Sequence, residues 1–162
     1  MKNVLIISFL TLCYTTDAKA QDLFFIGEKS YPCTELIVLQ SNKEEGEDLN
    51  IVFAKKDNAS YIAVTTKPTF KSEITDKLII YLDDGVSITC NTIIDSEFVD
   101  DNAKAVYSLT KEHLDKMRKS NINTVRYTLN VLEVKKVNRS ASNKGNSTKT
   151  NFPDLINEFF ND

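Results

Sequence analysis

The sequence offers few groups able to do covalent chemistry. His113 is its single histidine. It falls beside Glu112 in the first turn of a predicted helix, where it is expected to face solvent. A hydrolytic triad would need that imidazole next to a nucleophile on another element. No G-x-S-x-G, H-E-x-x-H, phosphate-loop or G-x-G-x-x-G motif occurs, and the chain holds only 4 glycines. Zinc with nitrogen and sulfur ligands would require more Cys and His than are present. Two adjacent carboxylate pairs, Asp83-Asp84 and Asp100-Asp101, invite comparison with a glycosidase. Neighbours in a tight turn point apart, so turn formation explains them more simply. Asp95, Glu97, Asp100 and Asp101 are calcium candidates by acidic density alone, without the ligand spacing of a calcium loop. The run Glu44, Glu45, Glu47, Asp48 reads as a solvated loop for the same reason. Trp is absent, and Tyr61, Tyr81, Tyr107 and Tyr127 read as core tyrosines rather than sugar platforms. No catalytic set, cofactor or metal is expected.

The remaining reactive residues are cysteines, and their meaning depends on compartment. Lys2, the apolar run Val4–Leu12 and Ala18-Lys19-Ala20 have the layout of a secretory signal peptide over residues 1–20. That apolar run is shorter than the ~20 residues a membrane span needs. Leu12 before Cys13 is too large for a lipobox, so cleavage before Gln21 is preferred. With 20 of 162 residues removed, 142 remain as a single α+β domain, 21–162, and loss of Lys2, Lys19 and Asp17 moves the net charge from −3 to −4. A mildly acidic chain does not attract nucleic acid or anionic lipid. Cys33 and Cys90 survive processing. An even number in an exported chain predicts a Cys33–Cys90 disulfide, stabilising by ~4 kcal/mol. An A-x-A signal followed by Gln resembles export signals common in Bacteroidota. Tyr81-Leu82-Asp83-Asp84-Gly85 and Ser120-Asn121-Ile122-Asn123-Thr124 likewise resemble uncharacterised exported proteins of that phylum. The resemblance names no family and implies only a periplasmic or secreted location.

The elements that must position any site follow from apolar patterning. Lys77–Cys90 predicts a hairpin with a three-residue loop, Asp83-Asp84-Gly85, closed by Gly85 in the left-handed conformation. That register sets Leu82 opposite Val86, Ile80 opposite Ile88 and Leu78 opposite Cys90 on one apolar face. A two-residue loop would mix the faces. Leu49–Lys56 and Ala59–Thr66 predict a second hairpin around Asp57-Asn58, pairing Phe53 with Ile62 and Ile51 with Val64. Leu23–Ile26 predicts an edge strand, and Cys33–Gln40 a central one. Lys67–Asp76 and Asn91–Ala103 read as loops, and Lys104–Ser108 as a strand. Thr110 caps a short helix, with Leu109 and Leu114 as a hydrophobic staple. Thr124–Val134 alternates most clearly. Val125, Tyr127, Leu129 and Val131 share one face; Arg126, Thr128 and Asn130 lie on the other, a possible contact surface. Residues 138–150 read as a flexible loop. Phe152, Leu155, Ile156, Phe159 and Phe160 form the apolar stripe of a docking helix over 152–160.

Together these predict an α+β fold: an antiparallel meander sheet of about six to eight strands, a short helix before the last strand, and a C-terminal amphipathic helix packed on the sheet. The alternative is a closed β-barrel with a C-terminal helix, resembling the lipocalin-like architecture but lacking its G-x-W signature. The functional expectation is an exported, non-catalytic binding or structural module of the cell envelope. Its partner would be a protein, a glycan or a small apolar ligand. A carrier of small apolar ligands and a hydrolase with an unrecognised carboxylate pair are the alternatives.

Overall fold

The computed structural model describes residues 22–26, 29–44, 46–144 and 149–161. The predicted signal peptide lies outside the described residues. Eleven strands and two helices follow in order: β1 (Asp22–Ile26), β2 (Lys29–Cys33), β3 (Ile37–Ser41), β4 (Leu49–Lys56), β5 (Ala59–Thr66), β6 (Ser72–Leu82), β7 (Ser87–Cys90), β8 (Thr92–Val99), β9 (Asn102–Leu109), α1 (Lys111–Met117), β10 (Ile122–Val131), β11 (Lys135–Ser142) and α2 (Phe152–Phe160). The sheet-dominated α+β class stands, with more strands than the six to eight expected. The spatial order is β7-β6-β10-β11-β3-β4-β5-β9-β8, with β1 on β2 and β2 attached to β4 through Cys33 and Ala54. Sequential hairpins are thus interrupted where β5 meets β9, β6 meets β10 and β11 meets β3. The path is open rather than a closed barrel. Its ends nevertheless meet, because β7 and β8 are consecutive in sequence, separated only by Asn91. Across that seam Ile74 N–H donates to Ser96 Oγ at 2.8 Å.

The strongest sequence signals give the observed registers. Leu78 faces Cys90 and Ile80 faces Ile88, Leu82 N–H donates to Val86 O at 2.9 Å, and Gly85 takes φ +84°. Of the six predicted apolar positions, only Val86 is exposed. In the other hairpin Phe53 pairs with Ile62 and Ile51 with Val64, and Asp57 takes φ +52° at the turn.

Four expectations are corrected. Residues 92–99 are strand β8, not loop: Asp100 and Asp101 take φ +51° and +62° and turn the chain straight into β9, as a two-residue hairpin requires. Residues 135–142 are strand β11, not flexible chain. Leu132 and Glu133 at φ +50° and +58° make the turn from β10. Of the flexible loop expected over 138–150, residues up to Ser142 are strand, Asn143 and Thr150 are held by hydrogen bonds, and 145–148 lie outside the described residues. Strand β6 begins at Ser72, inside the loop expected to reach Asp76. The Cys33–Cys90 disulfide is absent, both thiols being free and buried. Cys33 pairs in the ladder with Asp22 and Ala54, Cys90 with Leu78. No ladder makes β2 and β7 neighbours.

Alternate residues of the strands form one core, to which both helices add. α2 runs over the predicted 152–160. Asn151 Oδ1 accepts from Asp154 N–H, and Pro153 sits in the first turn. Phe152 and Ile156 are fully buried, a gain of roughly 3–6 kcal/mol for the two. Phe53 meets Phe152 and Phe160 edge-on at 6.1 and 6.3 Å between ring centres. A polar clamp fixes the approach to the helix. Asn143 Nδ2 donates to Ile122 O and Thr150 O, its Oδ1 accepts from Thr150 N–H, and Asn121 Oδ1 accepts from Phe152 N–H. Buried backbone groups that no ladder reaches are satisfied this way.

Candidate binding face

Strand β10 divides its residues cleanly. Val125, Tyr127 and Leu129 are buried in the core, Tyr127 only 2% exposed. Arg126, Thr128 and Asn130 point outward. The neighbouring strand β6 does not keep step. Arg126 is opposite Ile79, but Thr128, two residues on, is opposite Thr75. β6 therefore carries two extra residues in that interval, a bulge. Asp76 takes φ +63° there, a conformation Asp tolerates better than most residues. Asp76 and Lys77 are pushed out of the ladder and exposed.

The bulge walls a surface groove of ≈530 Å³, lined by Asp76, Lys77, Ile79, Arg126, Tyr127, Thr128 and Asn138. Lys136 Nζ lies 2.9 and 3.2 Å from the two Asp76 carboxylate oxygens, neutralising that acid. Thr128 Oγ1 donates to Asn138 Oδ1 at 3.2 Å. Among the described residues, Arg126 and Lys77 make no ion pair and no side-chain hydrogen bond. Beyond the groove the outer face is a hydrogen-bonded polar surface: Thr124 Oγ1 to Ser142 Oγ at 2.8 Å, Ser142 Oγ to Asn42 Oδ1 at 2.9 Å, and Asn42 Nδ2 to Ser140 Oγ at 3.1 Å. Such a network holds its side chains in place before any ligand arrives.

Of the three residues expected to form a contact surface, Arg126 and Thr128 meet in the groove. Asn130 shares their face but lies outside it, opposite Glu73 and Lys136. Sequence reading missed Asp76, Lys77, Ile79 and Asn138. The available signal was Asp76 itself, which interrupts the apolar alternation between Ile74 and Leu78.

The reactive groups are placed less openly than their types suggest. His113 is half-buried rather than exposed. Its N–H donates to Thr110 Oγ1 at 3.2 Å, and its Nδ1 accepts from Thr110 N–H at 3.3 Å, a reciprocal helix cap. That bond assigns the ring proton to Nε2. Cys90 Sγ lies 4.0 Å from the same Nδ1. The pair makes a poor nucleophile and base, since Nδ1 is engaged and Cys90 is fully buried. Burial pushes its thiol up to about 12. Burial also raises Cys33, with Asp22 adding to the effect. His113 is held below its ordinary value by burial first and by Lys116 second. Burial raises Tyr107 and Tyr127 as well.

The calcium candidates do not converge. Asp100 and Asp101 form the β8–β9 turn, Glu97 sits on β8 opposite Lys104, and the Asp95 side chain lies outside what is described. Among the described residues no group of three or more His, Cys, Asp or Glu is arranged to hold a metal ion. A second groove of ≈450 Å³ is lined by Lys67–Lys71, Phe98 and Asp101 and gathers one acid only. Among the described residues no helix is long and apolar enough to cross a membrane. The chain matches no protein-family model, no curated protein and no solved structure.

Proposed function

We propose that the chain is a non-catalytic binding module that works in the periplasm or outside the cell and holds its ligand in the groove between the β6 bulge and β10. One observation carries the reading. A two-residue bulge with a left-handed aspartate opens a pocket beside a guanidinium that no other described group satisfies. Bulges of this kind re-aim side chains and recur next to functional sites. Backbone strain of the same kind concentrates at ligand clamps. The absence of a catalytic motif in the sequence and the burial of Cys90 favour binding over chemistry. The leader-like residues 1–20 favour export.

The test is retention of cell-envelope polysaccharide, peptide and lipid fractions on the immobilised chain, compared with a Thr128→Trp variant that fills the groove. A fraction held by the chain and released by the variant supports the reading. Equal retention by both, or retention of none, contradicts it.

A further inference from the structure

We infer that the groove takes an acidic polysaccharide, gripping its anionic group with Arg126 and Lys77 while the surrounding face meets the sugar. This rests on the groove being the ligand site. Charge is the first argument. Lys136 already offsets Asp76, so Lys77 and Arg126 stand as uncompensated positive charges on a chain whose net charge is −3. The next acids on this face lie beyond the groove lining. Glu73 is opposite Asn130, and Asp83 accepts from Asn123 Nδ2 at 2.8 Å. A guanidinium with free donors pairs best with a planar or tetrahedral oxyanion.

Topology is the second argument. β6 lies between β7 and β10, β10 between β6 and β11, and β11 between β10 and β3. β10, which carries Arg126 and Thr128, is paired on both sides, so an extended peptide cannot add itself to that strand. At β10, recognition comes from side chains. Those present suit a sugar ring. Ile79 and Tyr81 lie in register with Arg126 and Thr124, and Tyr81 is 36% exposed, which together give an apolar strip for the ring's C–H face. Thr124, Thr128 and Asn138 supply hydroxyl and amide groups for its hydroxyls.

Carboxylate and sulfate offer the same chemistry to Arg126, so both are tested. Binding of the full chain is measured by affinity electrophoresis in gels containing polygalacturonate, dextran sulfate, neutral dextran or polyglutamate. Retardation by one or both acidic polysaccharides, and by neither dextran nor polyglutamate, is expected. Arg126→Gln should weaken it about tenfold and Lys77→Gln less, with unchanged melting temperatures, and added salt should reduce it. The polymer that retards the chain identifies the acid group. Equal retardation by polyglutamate overturns the sugar assignment, and absence of retardation by both acidic polysaccharides overturns the inference outright. Retardation by neutral dextran that Thr128→Trp abolishes overturns the charge argument and leaves the groove as the site. Retardation by an acidic polysaccharide that survives both Arg126→Gln and Thr128→Trp removes the groove itself.

Discussion

The inner and outer faces of β10 are made from alternate residues of one strand, yet they are organised by different forces. Inside, Val125, Tyr127 and Leu129 are fixed by apolar burial, and each can be exchanged only for something of similar volume. Outside, Arg126 and Thr128 are shaped by what β6 does next to them, a two-residue bulge that keeps Asp76 out of the core between the buried Ile74 and Leu78. The inner face answers the question of how the chain folds. The outer face carries the groove that this bulge opens. That difference is the reason to look for function there.

The largest effect should fall on the inner side. Phe152→Ala removes the ring that meets Phe53 and should cost about 3–5 kcal/mol in urea denaturation. A cost below about 1 kcal/mol would mean that α2 is not part of the core. Asn143→Ala leaves Thr150 and Ile122 backbone groups without their partner and should cost about 1–3 kcal/mol. On the outer side, Asp76→Val forces a β-branched residue to φ +63° and should cost about 1–3 kcal/mol, while Asp76→Gly should keep the fold. If Val were tolerated as well as Gly, the bulge would not hold the conformation described.

A smaller effect depends on pH. The neutral His113 ring accepts from Thr110 N–H, and burial holds its pKa below 6.5 in the folded chain. The unfolded chain therefore binds a proton first as pH falls. The contribution is intact above the unfolded value of about 6.5 and is lost as pH drops through it toward the lower folded value. His113→Gln should flatten the melting temperature between pH 7.5 and 5 relative to the unmodified chain. An unchanged pH slope would show that the cap does not titrate.

Most of the inner face was legible in the sequence, and most of the outer groove was not. The β6–β7 register followed from matching six apolar positions through one glycine. α2 followed from five apolar residues at helical spacing, and α1 from a threonine cap and a staple. β8 escaped because its acidic residues Asp95, Glu97, Asp100 and Asp101 read as loop chemistry, and β11 because its hairpin turns on Leu132-Glu133, a pair with no residue that favours a left-handed turn. β11 also presents little apolar pattern. Val137 and Ala141 face the core line, but Arg139 stands between them, opposite Tyr127. It is held chiefly by its ladder to β10, with Ala141 and Ser142 buried where the strand also meets β3. The disulfide was inferred from compartment and parity, neither of which knows that Cys33 and Cys90 belong to strands without a shared ladder. The groove arises from a slip between two strands far apart in sequence, and Asp76, between Ile74 and Leu78, is the one residue within β6 that hints at it. Only Arg126 and Thr128 were visible beforehand, as the polar half of an alternating strand.

The most direct measurement is a paired one on β10: urea midpoint and binding of acidic polysaccharide for Arg126→Ala and Leu129→Ala side by side. Arg126→Ala is expected to keep the midpoint within about 0.5 kcal/mol and to lose binding, while Leu129→Ala loses about 2–5 kcal/mol of stability. An Arg126→Ala chain that binds as before, or that unfolds as readily as Leu129→Ala, would contradict a division of labour between the two faces.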